Sequence, residues 1–226
     1  MNGLLSKRVL LIMGAIALLM IALAVVTVWW LRGQMHRPVW TTSTQPVEIV
    51  IGNDVFSIPA NAIRFAGQRR NGNAQRVDIA LLFPQGNGYS ADQRGAFLET
   101  SGTRKVIFAH LEPRSMPHDM SGRLEPLYRT LFEGAARTGP ANLVLQSLET
   151  GRGYEGEELA ISAPQADGRA WIARCQIDDG QTVPTCLRDV HIAGGAALTY
   201  RFPRTMLAQW QAIDAMVLGR TVEFAQ

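Results

Sequence analysis

A chain of 226 residues has room for one folded domain and a membrane anchor, because single domains usually run to about 100 to 200 residues. Once its first 40 residues are set aside, the remainder can bury most of its apolar surface without a partner or several disulfides. The formal net charge is +3, but four of the 22 basic residues flank one apolar segment and leave 18 basic against 19 acidic side chains elsewhere, so no nucleic-acid partner is expected.

The apolar segment covers residues 9–31 and reads VLLIMGAIALLMIALAVVTVWWL, without a charged side chain. At 1.5 Å per residue it would span about 34 Å as a helix, enough to cross a hydrocarbon core of roughly 30 Å. Trp29 and Trp30 stand where the helix would leave the bilayer, the depth at which amphipathic rings gather. The segment therefore predicts one transmembrane helix, with Trp29 and Trp30 at the membrane interface.

The charges beside this segment favour one orientation. Lys7, Arg8 and the amino terminus precede it and favour a cytoplasmic N-terminus, residues 1–8, whereas Arg32 and Arg37 on the other side weaken the bias. We therefore predict a single-pass protein of the bacterial inner membrane with a periplasmic C-terminal domain.

A cleaved signal peptide is the alternative, because residues 22–24 read Ala-Leu-Ala, the small-x-small form that a signal peptidase recognises. The apolar run continues for seven residues beyond Ala24, and the apolar part before it already exceeds the 7 to 15 residues of a signal peptide's core. Retention of the anchor is therefore the prediction. Both alternatives export the domain.

Residues 32–46 read RGQMHRPVWTTSTQP, with two prolines, a run of Ser and Thr and no helical period. They predict a spacer that lifts the exported domain, residues 47–226, off the membrane.

Short apolar and β-branched runs dominate the domain and predict strands. They lie at 47–51 and 55–58, which form a hairpin across a Gly52-Asn53-Asp54 turn, and at 76–83, 105–111, 142–148, 158–162 and 197–202. A short helix is expected at 92–99. A weaker one is expected at 119–133, where Gly122 and Pro126 interrupt the pattern.

The clearest helix of the domain begins near Pro203 and ends near Gly219. One apolar face is formed by residues spaced four, three and four apart: Met206, Trp210, Ile213 and Val217. The predicted fold is α+β, with a mainly antiparallel sheet and the amphipathic helix 203–218 packed on it. A fold nearer a β-sandwich is the alternative if the weaker helices do not form.

The two cysteines, Cys175 and Cys186, lie in an exported domain, where an even number usually indicates a bridge. A hairpin centred between Gly180 and Gln181 would place them directly opposite each other, and residues 178–181 read Asp-Asp-Gly-Gln, which is turn chemistry. The pattern predicts a disulfide across this hairpin. It lacks the Cys-x-x-Cys spacing of a redox motif.

Two groups of residues are candidates for a site. Two histidines and two carboxylates lie between a strand and a weak helix and could form a metal or polar site: His110, Glu112, His118 and Asp119. They lack the H-E-x-x-H spacing of a zinc enzyme. Residues 151–156 match G-x-G-x-x-G, but a short strand follows them rather than a helix, so we interpret them as a hairpin connection and expect no nucleotide cofactor.

The most basic stretch of the domain contains four arginines that could rest on anionic headgroups or an acidic partner: Arg64, Arg69, Arg70 and Arg76. No catalytic motif accompanies it. We therefore predict a membrane-anchored binding or assembly protein, such as an accessory subunit of a cell-envelope complex, with the bilayer and an envelope protein as partners and no cofactor. The alternatives are an envelope hydrolase or metal-dependent enzyme using His110, His118 and Asp119, and a purely structural tether.

Overall fold

The computed structural model describes residues 2–35, 40–192 and 194–226. Residues 36–39, within the predicted spacer, and the flanking charges at positions 7, 8, 32 and 37 lie outside the residues or side chains that it describes. Helix α1 runs from Asn2 to Met35. Within it, Leu11–Trp30 has a mean hydropathy of 2.8 and no part of this stretch is buried inside the protein, so it is long and apolar enough to cross a membrane.

Helix α1 extends beyond both ends of the predicted span. The first four residues of the predicted spacer are helical, because no proline occurs before position 38 to interrupt the backbone hydrogen bonds. Trp29 and Trp30 are 80% and 60% exposed, as lipid-facing side chains would be.

The domain contains eleven described strands in two sheets. A small sheet has the order β2-β1-β3 and a large sheet has the order β4-β5-β11-β10-β9-β8-β7-β6, in which every neighbouring pair is antiparallel. Their bounds are β1 Pro46–Ile51, β2 Asp54–Pro59, β3 Gly72–Asn73, β4 Val77–Leu82, β5 Val106–Pro113, β6 Phe132–Thr138, β7 Val144–Leu148, β8 Glu157–Pro164, β9 Ala170–Gln176, β10 Thr185–His191 and β11 Ala196–Pro203. Helix α2 is Arg94–Leu98 and helix α3 is Trp210–Phe224. The α+β class and the antiparallel sheet are confirmed.

The prediction of a helix at 119–133 is wrong. The segment forms turns, a 3-10 turn at Tyr128–Leu131 and the start of β6. The Asp119 carboxylate accepts a hydrogen bond from the Gly122 N–H at 2.9 Å, which favours a turn, and Pro126 has no N–H to continue a helix. Strand β6 was not expected from the sequence because six of its seven residues are exposed, so it shows no alternation.

One face of the large sheet packs against both the small sheet and α3. All four residues of the predicted helix face are buried in this core: Met206, Trp210, Ile213 and Val217. A 3-10 turn at Arg204–Gln209 precedes α3. The helix continues past Gly219 to Phe224, because Thr221 and Phe224 prolong the buried face while position 219 meets only open space.

The opposite face of the large sheet is covered at its two ends. One cluster packs the turns of 120–131 on β8 and β9, around Leu159 and Ile172. The other cluster packs Trp40, Tyr89 and Phe97 on the β4–β5 end of the sheet. Between the clusters, the middle of this face is left open.

The disulfide lies in the core. Cys175 and Cys186 pair directly in the register of β9 and β10, are bonded to each other, and have no exposed surface. The connection between the strands, residues 177–184, extends beyond the four residues 178–181 in which the sequence predicts the turn. The carboxylates of Asp178 and Asp179 accept hydrogen bonds from the Gly180 and Gln181 N–H groups, each at 2.9 Å, and thereby order the loop.

Replacing both cysteines, Cys175→Ala with Cys186→Ala, is expected to lower the free energy of unfolding by about 3 kcal/mol, because the bridge restricts the unfolded chain. Urea unfolding with and without a reductant measures this. The wild type should lose stability on reduction while the double variant stays unchanged. Equal stability of the oxidised wild type and the variant would contradict the expectation.

Candidate functional site

A basic cleft of about 450 Å³ occupies the open middle of the large sheet. Its floor comes from β4, β5, β10 and β11, in which cross-strand neighbours such as Asp78, His110 and Thr199 share one face. Three further side chains reach in from outside the strands: Arg64, whose backbone N–H donates to the Asp78 carbonyl of β4 at 2.8 Å, Arg76, just before β4, and Arg104, just before β5. The cleft thus combines chain segments distant in sequence.

Two guanidinium groups stack on one aromatic ring in this cleft. The Arg64 and Arg104 carbons Cζ lie 4.2 and 4.9 Å from the centroid of the Phe108 ring. This geometry holds the cations through their attraction to the ring face. Within the described part of the chain, no carboxylate lies within 4.0 Å of either guanidinium, and both Nε atoms are buried without a hydrogen-bond partner. Buried donors of this kind are costly unless a partner satisfies them.

Burial lowers the pKa of both Arg64 and Arg104 from the ordinary arginine value. For Arg64, Asp78 partly opposes this effect and the neighbouring Arg104 adds to it. The positive charges are therefore held together in a partly dry site. A bound anion would offset the free-energy cost of desolvating the two arginines and would reduce the repulsion between them.

Four arginines line the cleft against a single carboxylate, and that carboxylate is already engaged. Asp78 accepts hydrogen bonds from Arg76 Nη2 at 2.8 Å and from Gln68 Nε2 at 2.9 Å. Burial raises the pKa of Asp78, but these hydrogen bonds outweigh burial and bring it below its ordinary value. The remaining lining arginine, Arg201, is exposed and makes no ion pair among the described residues. The cleft lining therefore carries more positive charge than its single carboxylate neutralises.

His110 also lines this cleft. Burial and then Arg76 lower the pKa of His110, and Glu112, whose Oε2 lies 3.7 Å from Nε2, partly opposes them. Burial and Arg76 therefore disfavour the charged form of the imidazole, which contributes a polar group to the cleft wall.

The predicted arginine stretch divides between three roles. Arg64 and Arg76 belong to the cleft. Arg69 donates hydrogen bonds to the Ala60 and Ile63 carbonyls at 2.9 to 3.2 Å, so its role is structural. Arg70 is exposed beside an adjoining depression of about 760 Å³, which Arg64 and Arg76 also line.

The predicted metal or polar site is dispersed. His110 lies in the basic cleft, whereas His118 is exposed and Asp119 is buried in an ion pair with Arg169. Asp119 lines a different depression together with His191. No three His, Cys, Asp or Glu side chains come together as metal ligands in the part of the chain that the structure describes. The three residues therefore do not share one site.

Two residues of the cleft, Arg104 and Arg201, were not identified from the sequence as candidates for a site. A signal for Arg201 was present, because Thr199 and Arg201 are the outward positions of an otherwise apolar strand, β11. Arg104 carried no local signal. Its place depends on the packing of Phe108 beneath it.

These features define the class of protein by its structure: an antiparallel α+β domain that follows an apolar helix and has a basic cleft on the open face of its large sheet. No protein-family profile matches the chain and no curated protein sequence matches it. Among solved structures it is similar in fold to Smlt3025, an immunity protein of the Stenotrophomonas maltophilia type IV secretion system. That likeness has 15% identity and a TM-score of 0.57 over 81% of this chain and 94% of the other.

A weaker likeness is to FrpD, an iron-regulated outer membrane lipoprotein of Neisseria meningitidis. It has 12% identity and a TM-score of 0.42 over 83% of this chain and 97% of the other. At these identities, the likeness to Smlt3025 shows a common fold and nothing about partners.

Proposed function

We propose that this chain is a membrane-tethered binding protein of the bacterial cell envelope, whose exported domain holds a protein partner by placing acidic side chains of that partner in the basic cleft. The observation that carries the proposal is the pair Arg64 and Arg104, stacked on Phe108 without a carboxylate partner among the described residues. Guanidinium groups are suited to carboxylates because they bind them through two parallel hydrogen bonds.

The location in this proposal rests on two features. Helix α1 supplies a stretch long and apolar enough to anchor the chain in the inner membrane. The buried bridge between Cys175 and Cys186 is typical of a domain that folds in an oxidising compartment such as the periplasm. Together they favour a cytoplasmic N-terminus and a periplasmic domain.

The excess of positive charge in the cleft determines which partner to test first. A subunit of an envelope complex with an acidic surface is the first candidate, and a secreted protein with such a surface is the second. Both would use the same cleft, so one experiment addresses both.

The test is photocrosslinking from the cleft in intact cells. A photoreactive residue replaces Leu187, which lines the cleft, in the full-length chain, and mass spectrometry identifies the adduct. We expect a protein adduct whose crosslinked segment is rich in Asp and Glu. Combining Arg64→Gln and Arg104→Gln should weaken capture at least about tenfold, because each lost charged hydrogen bond costs more than 1.4 kcal/mol.

The matched control is Arg129→Gln with Arg152→Gln, two exposed arginines whose ion pairs lie on the surface, away from the cleft lining. Arg201→Glu is a second cleft variant that carries no folding risk, because this side chain is exposed. Thermal unfolding of every variant verifies the fold. Equal capture by the cleft variants and the control would refute the proposed binding site.

A further inference from the structure

The folded domain starts only a few residues after the anchor helix. Helix α1 ends at Met35, and Trp40 is already docked on the domain. The Trp40 ring stacks on Tyr89 at 5.6 Å between centroids and meets the Phe97 ring edge-on at 5.0 Å. Beyond it, the carbonyls of residues 43 and 45 accept backbone hydrogen bonds from residues 61 and 60 at 2.8 and 2.9 Å. Contacts with the domain therefore begin at Trp40, within the predicted spacer of residues 32–46.

This short connection limits how far the domain can stand from the membrane. Five Cα steps of 3.8 Å allow at most about 19 Å between Met35 and Trp40. The five helical steps from Trp30 to Met35 rise only about 7.5 Å, roughly the thickness of one headgroup layer. A domain of this size is roughly 40 Å across. Trp40 must therefore lie on the half of the domain that is nearer the bilayer.

That side has the chemistry of a membrane interface. Helix α2, whose Phe97 contacts Trp40, presents Leu98 with 53% of its surface exposed. The exposed cation Arg94 lies one helical turn before it on α2. Asp92 and Glu99 lie on the same stretch of chain, so an exposed apolar side chain close in sequence to charges of both signs, rather than a large net charge, marks this surface.

We infer that this membrane-facing patch, defined as Trp40, Arg94 and Leu98, rests in the lipid headgroups of the bilayer that α1 spans, with Leu98 inserted. The inference rests on the anchor proposed above. The tether length argues for lipid as the occupant, because no other surface is held so close to this patch. Two contacts, α1 and the patch, fix the orientation of the domain, and with it the direction in which the basic cleft opens.

The experiment places a photoreactive residue at Leu98 or at Val144 in the full-length chain in its native membrane. Val144 is the matched control, since it is also an exposed apolar residue, 43% exposed, but lies on β7 near the far edge of the large sheet. Mass spectrometry of the purified chain reads both the adduct and the N-terminus. We expect severalfold more lipid adduct at position 98 than at 144, and a further variant, Arg94→Glu, should reduce it.

Two outcomes overturn the inference in distinguishable ways. An intact N-terminus with equal lipid adducts at 98 and 144, or with a protein adduct at 98, rejects the patch alone and leaves the anchor and the cleft standing. A mature chain that begins after residue 24 rejects the anchor, and the patch with it, while the crosslinking result from Leu187 in the cleft remains unaffected.

Discussion

Replacing Arg137 and Arg204 together with alanine is expected to lower the free energy of unfolding by about 3 to 5 kcal/mol, because it leaves a buried carboxylate without a counter-charge. Glu158 of β8 has no exposed surface, and both guanidinium groups donate hydrogen bonds to it, one from β6 and one from the turn that leads into α3. Urea unfolding of the full-length protein in detergent micelles, followed by tryptophan fluorescence, measures the loss.

The control is Arg152→Ala, which breaks a pair with Glu149 at 3.3 Å whose side chains are 63% and 47% exposed. Such a surface pair contributes less than about 1 kcal/mol, so a small effect is expected. Adding Glu158→Leu to the double variant should restore much of the stability, since it removes the unpaired charge. A loss as small as that of the control, or no rescue, would show that Glu158 does not depend on its two arginines.

Trp171→Ala is the second substitution with a large expected effect, a loss of about 3 to 5 kcal/mol in the free energy of unfolding. The Trp171 ring is 2% exposed and lies 4.8 Å from the Trp210 ring, between the large sheet and α3. Its Nε1 donates to the Tyr200 hydroxyl at 3.3 Å, and that hydroxyl donates to Asp214 at 2.6 Å. Alanine would open a cavity and leave this hydrogen-bonded chain incomplete.

Thermal or urea unfolding measures this second loss, with Trp171→Phe and Val144→Ala as comparisons. Phenylalanine keeps most of the ring volume and should recover about half of the loss. Val144 is partly exposed, so its truncation should cost less than about 1 kcal/mol. A Trp171→Ala variant as stable as Val144→Ala would contradict the assignment of this ring to the contact between sheet and helix.

The parts of the fold that can be predicted from the sequence are those determined by residues close together in the chain. Alternation and turn residues place the β1–β2 hairpin, and the position of two cysteines around one turn sets the register of β9 and β10. The predicted end of α3 near Gly219 was too early. A glycine ends a helix where no later residue is buried, but Phe224 is buried and the helix continues to it. Strand β6 was not predicted, because it has no apolar pattern of its own and is a strand only through its pairing with β7.

The site was less predictable because its parts are far apart in sequence. Arg64 and Arg76 were selected by local charge density, but their surroundings depend on the strand order β4-β5-β11, which brings Arg201 beside Phe108. No local pattern reveals that order. Conversely, His110 and Asp119 are near in sequence, and the turn after β5 separates them into different depressions.

The edges of the large sheet bear on how these chains behave when many share one membrane. An open edge strand invites pairing with the edge of another molecule. At one edge, a bulge between Glu133 and Arg137 interrupts the ladder of β6 and deprives an incoming strand of a regular partner. At the other edge, residues 62–64 cover β4 through hydrogen bonds to Asp78 and Ala80 of 2.8 Å each. Since this covering segment also holds Arg64 over Phe108, loosening it would expose a strand prone to aggregation and dismantle the cleft at the same time.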